Sequence, residues 1–509
     1  MIEKILQLGK EAAIYGLSSI VGRFINFLLV PLYTNFLLPA EYGVIATLYS
    51  YLAFAFIVYG FGMEAAYMRY VSSLEIGDDK QNFSTPFFFL LGSSILLSLL
   101  ISGGAAPIAR VIELGAGQSL LVRYGAWILC LDTLAVIPYA SLRMKNRAMA
   151  FALIRLANII LNVVFVVILV VVMGMRAEGV VIANLAASAG TFLLLLRFTI
   201  PHLTTRFSPQ LFKALLKFGI PYIPAGLASI AMQVIDRPIL LALTDEATVG
   251  VYQASYRLGI FMMLVVGMFD YAWRPFFLNH AKDPNAKEMF SRVFTYFCIL
   301  ALGLFLVVSM FVGDLVRIHV LGHYFFHPDY WGGLSVVPWV LLAYVFNGAY
   351  VNFIIGVYLE KKTKYLPYVT GAGALANVVV NLLLIPRFGM MGAAVATLVS
   401  YMVIAAGIYS VSQRLYRVMY EWGKLLRLGA VAAVLYVAFL LLDVGNATIA
   451  AISVKAGLTA VFVSMLFVTG IVDRSEVTQT LAVVRSALRR RANGAAMPPS
   501  GTSEPPSAD

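Results

Sequence analysis

Apolar residues are gathered into fourteen long blocks separated by short polar segments. The blocks cover residues 12–37, 42–66, 86–108, 124–141, 148–173, 180–196, 218–243, 249–273, 294–312, 334–357, 365–384, 392–411, 428–442 and 450–472. A bilayer-crossing helix needs roughly 17 to 25 mostly apolar residues, so the pattern predicts an all-α polytopic membrane protein with 14 transmembrane helices. Lipid offers no partner to a bare backbone N–H or C=O, and the blocks are far too long for barrel strands. Helices remain.

The polar segments set the orientation. Arg143, Lys145 and Arg147 follow the fourth block, Lys361, Lys362 and Lys364 the tenth, and Arg414, Arg417, Lys424 and Arg427 the twelfth, whereas the alternate connections carry few cations. Cations collect in short cytoplasmic loops, so both termini are predicted to be cytoplasmic. Composition agrees: 61% of residues are hydrophobic and 12% charged, with a mean hydropathy of +0.87, more apolar than a soluble core requires. The formal charge of +12 is then a topology signal. Nucleic-acid binding would need a basic soluble module, and no loop has room for one.

Lys4 and Lys10 precede the first block as in a signal peptide, but the block runs too long and contains Arg23, so the segment is expected to be retained. After residue 472 a stretch with Arg485, Arg489, Arg490 and Arg491 turns into a Pro, Ser and Gly-rich end. The basic cluster suits anionic headgroups and the end suits disorder. Cys130 and Cys298 lie inside separate blocks and read as small core residues. His319, His323 and His327 would share one face of a helix, but Gly322 and Pro328 oppose a helix there, so no metal site is assigned.

The two halves of the chain echo each other. Tyr15-Gly16-Leu17 opens the first block as Phe218-Gly219-Ile220 opens the seventh, and Asn158 with Asn162 matches Asn377 with Asn381. Gly179 to Asn184 likewise matches Gly392 to Thr397. The expected organisation is a six-helix lobe over residues 1–205, a second over 206–412, two additional helices over 413–472, and a basic, disordered tail over 473–509. An even number of spans per half makes the lobes parallel, and two such lobes suggest a central cavity that opens by rocking.

A charge at mid-bilayer costs about 2.5–3.5 kcal/mol even on lenient scales, so each one retained is a functional candidate. The clearest are Arg23, Glu64, Asp132, Arg155, Asp236, Arg237, Arg257 and Asp270. Helical spacing groups Ser19, Arg23 and Asn26 on span one, Arg155, Asn158 and Asn162 on span five, Ser229, Gln233 and Arg237 on span seven, and Gln253 with Arg257 on span eight. Guanidinium keeps its charge and grips phosphate through a planar fork, which suits an anionic, sugar-bearing cargo. Pairing with Glu64, Asp132 or Asp236 is the competing structural role. Asp236 and Arg237 are adjacent, about 100° apart on a helix, so one is expected to hold a neighbouring helix. Pro31, Pro138, Pro221 and Pro224 are hinge candidates, with Gly219 to Gly226 the strongest stretch.

Several of these segments resemble one family. Phe36-Leu37-Leu38-Pro39-Ala40-Glu41-Tyr42-Gly43, Gly62 with Glu64 and Arg69, Asp132 with Pro138 and Arg143, Asp236-Arg237 followed by Gly250-Val251-Tyr252, and Lys361-Lys362-Thr363-Lys364 with Asn377, Asn381, Pro386 and Gly389 together resemble the polysaccharide transporter family. These are the Wzx-like oligosaccharide and O-antigen flippases of the multidrug/oligosaccharidyl-lipid/polysaccharide exporter superfamily. The resemblance implies translocation of an undecaprenyl-diphosphate-linked oligosaccharide across the bacterial inner membrane for lipopolysaccharide, capsule or exopolysaccharide assembly. It places Arg23 and Arg257 among cationic cavity residues that meet diphosphate and sugars, and the helical stripes add Asn26, Arg155 and Arg237. It implies protons or sodium as coupling ion, with Glu64, Asp132 or Asp236 as carriers or as structural partners. A polysaccharide polymerase and chain-length proteins are the implied protein partners.

Short loops without a phosphate-binding Gly-rich motif disfavour an enzyme, and no cofactor is expected. Two alternatives stay open. An ion-coupled drug or small-molecule extruder on the same scaffold would prefer acidic and aromatic walls, and a non-transporting assembly scaffold would tolerate neutral residues in place of the arginines.

Overall fold

The computed structural model describes residues 22–114, 116–320 and 322–472. Tyr15-Gly16-Leu17, Ser19 and the basic tail thus lie outside the described residues. Among those described, 12 helices are long and apolar enough to cross a membrane, or 13 if one bent pair is a single span. The protein is an all-α polytopic membrane protein. Its chain divides into two compact units after Tyr420.

The first unit begins with α1 (residues 22–36), in which Pro31 causes no break, and α2 (Pro39–Gly60). Left-handed backbone at Phe61 and Gly62, φ 46° and 66°, ends α2 before α3 (Met63–Ser73). Asp78 caps α4 (Asp79–Gly103) by accepting the Gln81 N–H at 2.7 Å. Next come α5 (Ala105–Val111), α6 (Ser119–Met144), α7 (Ala148–Val166) and α8 (Arg176–Thr199). Helix α6 packs on α2, α4 and α8, with α7 against α8, and Pro138 sits within a continuous α6.

The seventh block, expected as one helix over 218–243, is broken into two, and its first two residues belong to the helix before them. Helix α9 (Pro209–Gly219) meets α10 (Tyr222–Val234) at a 41° bend, and α11 (Asp236–Leu243) follows. Pro221 lacks the N–H that would continue the ladder, so the expected hinge stretch does contain the bend. The eighth block is likewise divided into α12 (Glu246–Arg257) and α13 (Ile260–His280). Beyond them α14 (Ala286–Val316), α15 (Val337–Phe353), α16 (Ile355–Leu359), α17 (Tyr365–Phe388) and α18 (Met390–Leu415) complete the unit. Helices α13, α14 and α18 pack around α15, and α17 lies along α18.

Between α14 and α15 the histidine segment forms a two-stranded hairpin, β1 (His319–Val320) with β2 (His323–Tyr324). The three imidazoles therefore share no helical face. The His319 ring lies 4.1 Å from Tyr324, that of His323 5.7 Å from Phe36, and His327 pairs with Asp329 at 3.3 Å. The hairpin and the turn after it rest on the end of α1. Asn35 donates to the Tyr324 carbonyl at 2.8 Å, and the Tyr330 hydroxyl donates to the Leu37 carbonyl at 3.0 Å.

Two glycine crossings join the halves of this unit. Gly43 is the fifth residue of α2 and Gly250 the fifth of α12. A methyl built on Gly43 would sit 1.8 Å from the Glu246 carbonyl oxygen, and one on Gly250 1.9 Å from that of Pro39. Each helix thus touches the first residue of the other, backbone to backbone. At the opposite end of α2, a methyl on Gly62 would lie 2.1 Å from the Gly219 carbonyl oxygen, and one on Gly219 2.5 Å from that of Phe61. In a bilayer the hydrophobic effect does not draw helices together, so such close approach through small residues supplies the packing.

The second unit contains α19 (Trp422–Leu441) and α20 (Ile449–Val468), which pack on each other. Lys455 is fully buried here, its ammonium donating to Asn446 Oδ1 at 2.9 Å and lying 5.8 Å from the Phe439 ring. It is a mid-span charge that the sequence reading passed over.

Candidate functional site

The break between α10 and α11 places Asp236 and Arg237 at the start of a short helix facing α12. Both are buried, at 3% and 5% exposure. The Arg237 guanidinium bonds Asp236 Oδ1 at 2.6 Å and donates through Nε to Gln253 Oε1 at 3.0 Å. It lies 4.3 Å from the centre of the Tyr256 ring. The Tyr252 hydroxyl donates to the other Asp236 oxygen at 2.5 Å. Adjacency does not hold the two side chains apart, as helical geometry suggested. They turn toward each other, and together they tie α11 to α12. Arg237 has its charge matched by Asp236 and its Nε and Nη1 donors engaged.

Arg23 and Arg257 are different. Both are exposed, as is Asn26, and among the described residues neither arginine has a carboxylate partner. Arg257 ends α12, directly after Tyr256, and its charge acts on Tyr42. Its charge reaches Tyr33 and Tyr49 as well. Arg23 and Arg257 both act on Tyr344. Two guanidinium groups from the two halves of the chain therefore share one neighbourhood, and tyrosines fill it.

Those tyrosines form two chains of rings. Tyr33 and Tyr42 are 5.7 Å apart, and Tyr42 lies 6.2 Å from Tyr330. In the second half Tyr252 and Tyr256 are 5.7 Å apart, Tyr256 and Tyr344 6.4 Å, Tyr344 and Tyr401 6.1 Å. Tyr33, Tyr49, Tyr256 and Tyr401 are half-buried, each keeping part of its surface accessible. The sequence carried a trace of this. Tyr42 with Tyr49 and Tyr252 with Tyr256 stand seven and four apart, hence on shared faces, but tyrosine in a membrane helix lacks the rarity that flags a charge.

The remaining candidates divide. Arg155 is exposed, its guanidinium 5.3 Å from the Phe151 ring and 5.8 Å from Tyr139. Asn158 donates to Thr191 Oγ1 at 2.8 Å, fixing α7 to α8, and Asn162 is half-buried beyond it. Gln253 is buried, whereas Ser229 and Gln233 are exposed on α10. Glu64 pairs with Arg143, and Asp270 with Arg274 at 2.7 Å. Asp132 has no cationic partner among the described residues; it accepts the Ser188 hydroxyl at 2.7 Å and lies in the field of Tyr49 and Tyr139. Asn377 and Asn381 are buried and bonded to each other at 2.9 Å. No group of three His, Cys, Asp or Glu side chains among the described residues could hold a metal ion.

A family model described as "Polysaccharide biosynthesis protein" matches residues 33–327. Among solved structures, the chain is similar to "Lipid II flippase MurJ, inward closed conformation" at a TM-score of 0.70 and 16% identity, covering 90% of this chain and 99% of that one. An inward-facing multidrug resistance MATE family transporter of the MOP superfamily gives a TM-score of 0.62 at 13% identity, covering 79% of this chain and 97% of that one. An outward-facing one gives 0.52 at 15%, covering 80% and 95%. At these identities the likeness is one of fold. No curated protein matches the chain by sequence.

Proposed function

We propose, from the premise that the chain belongs to the polysaccharide biosynthesis protein family, that it flips an undecaprenyl-diphosphate-linked oligosaccharide across the bacterial inner membrane by alternating access. The product would feed O-antigen, capsule or exopolysaccharide assembly beside a polymerase and chain-length proteins, with both termini of the flippase in the cytoplasm. One observation carries the reading: Arg23 and Arg257, from opposite halves, keep exposed guanidinium groups that have no carboxylate partner among the described residues, and both act on Tyr344 in a neighbourhood of half-buried tyrosines. A solitary cation among membrane helices is costly unless water or an anion meets it. A diphosphate offers that anion, and two planar forks suit it.

Asn26, one turn from Arg23 on α1, and Arg155 on α7 are also exposed, and we assign them as further contacts. Arg237, already paired and stacked, acts by holding α12 so that Arg257 is presented. Of the three carboxylates considered for ion coupling, Glu64 and Asp236 are engaged by arginine, while Asp132 has no cationic partner among the described residues. Asp132 is therefore the carboxylate we assign to a coupling proton or sodium ion.

Replacing Arg23 or Arg257 with Ala is expected to cut surface glycan at least tenfold while membrane abundance stays level, and Lys to restore it only in part, because ammonium lacks the fork. Glycan measured at parental level in both Ala variants overturns the reading. The aromatic wall and free Asp132 favour a second one, an ion-coupled extruder of small molecules; drug resistance that follows Asp132 and ignores both arginines would select it.

A further inference from the structure

We propose that Tyr33, Tyr49, Tyr256 and Tyr401 form a glycan subsite, a surface that takes the sugar part of the passenger while Arg23 and Arg257 take its diphosphate. The inference deepens the flippase reading and rests on it. Its ground is geometric. The four side chains come from α1, α2, α12 and α18, and α12 packs on both α2 and α18. Tyr33 lies 5.7 Å from Tyr42 of α2, and the Tyr256 and Tyr401 rings both neighbour Tyr344, at 6.4 and 6.1 Å, so the surface draws on both halves.

The chemistry of the wall is unusual for a membrane protein interior. A structural tyrosine in a dry core normally buries its ring and hands its hydroxyl to a neighbour. Tyr252 does this, bonding Asp236, and Tyr344 does it, donating to the Met263 sulfur at 3.7 Å. Tyr33, Tyr49 and Tyr401 do not: among the described residues their hydroxyls have no hydrogen-bond partner, and their surfaces stay partly accessible. Each presents an apolar ring with a free donor and acceptor at its tip. Sugars display the matching pattern, with C–H faces that stack on rings and hydroxyls at the rim that donate and accept. The Asp132 carboxylate, on the α6 helix that packs on α2 and with a charge that acts on Tyr49, adds an acceptor for a sugar hydroxyl. A wholly apolar passenger would leave these groups unsatisfied, and an anion would find no cation at the phenols except at the arginine end.

The test compares two probes, undecaprenyl diphosphate and the same lipid bearing a neutral oligosaccharide, bound to the full-length protein reconstituted in vesicles. The parent is expected to bind the glycosylated lipid roughly tenfold tighter. Tyr49→Leu and Tyr401→Leu should lose that preference and keep the affinity for the bare lipid, which also shows that they are folded. The corresponding Phe variants, with ring but no hydroxyl, should retain part of it. Arg257→Ala should weaken both lipids alike. Leu variants that keep the parental preference overturn the subsite while leaving the flippase reading intact. A parent that binds neither lipid overturns both, and Leu variants that instead lose a lipophilic cation such as tetraphenylphosphonium assign the wall to the extruder.

Discussion

Breaking the Asp236–Arg237 pair from one side strands a charge in a place with almost no water. Asp236→Asn keeps an acceptor for Tyr252 but leaves the guanidinium uncompensated, and losses of about 3–5 kcal/mol accompany such one-sided changes. Thermal unfolding in detergent should show it as a lower midpoint, while the double change Asp236→Leu with Arg237→Met should recover most of the loss; an unchanged midpoint in Asp236→Asn would show that the pair carries no such weight. At this scale the sequence announces charges, because each is rare and expensive among apolar neighbours. It does not announce partners. Arg23, Arg237 and Arg257 look alike in the chain, and only the fold shows that Arg237 is spent on Asp236, Gln253 and Tyr256 while the other two have no carboxylate partner among the described residues. The tyrosine wall was less legible still, since its members come from four helices far apart in sequence.

Helix starts are the elements most exposed to simple chemistry. Asp245 caps α12, accepting the Thr248 N–H at 2.9 Å and its hydroxyl at 2.8 Å, and these bonds hold its carboxyl below the ordinary range. A lowered folded-state pKa means that its stabilisation is complete above the unfolded value of about 3.9 and fades as pH falls through the folded one. Asp245→Ala should therefore cost about 1 kcal/mol at neutral pH, and melting curves of parent and variant should converge below about pH 4. A gap that persists in acid would assign the loss to something other than the cap. The apolar blocks located the spans well because a bilayer imposes a length on them. Breaks were harder: Pro221 marked one, whereas the end of α12 at Arg257 carries no proline and depends on tertiary packing. In the histidine segment the spacing of four suggests a helix, but Gly322 spoke against one, and its left-handed backbone, φ 85°, sits in the turn of a hairpin.

For the whole molecule, the two glycine crossings decide what can move. Gly43 with Gly250 and Gly62 with Gly219 lie at opposite ends of α2, so they close the two halves on each other at both ends. Adding a methyl at one end should splay that end alone. Gly250→Ala and Gly62→Ala are expected to raise labelling of a cysteine at Ser229 from opposite sides of the membrane by a bulky thiol reagent, in a background with Cys130 and Cys298 replaced; labelling from one side in both would discard the idea. A pattern of apolar blocks says nothing about which small residues meet across them. Because Gly43 and Gly250 guard the same point from its two sides, their alanine variants should not behave as independent mutations. Whichever methyl arrives first must displace both backbones, and the second then enters space already vacated. A thermodynamic cycle over the pair should show the double variant costing little more than either single one, as expected of a lock that only needs to be forced once.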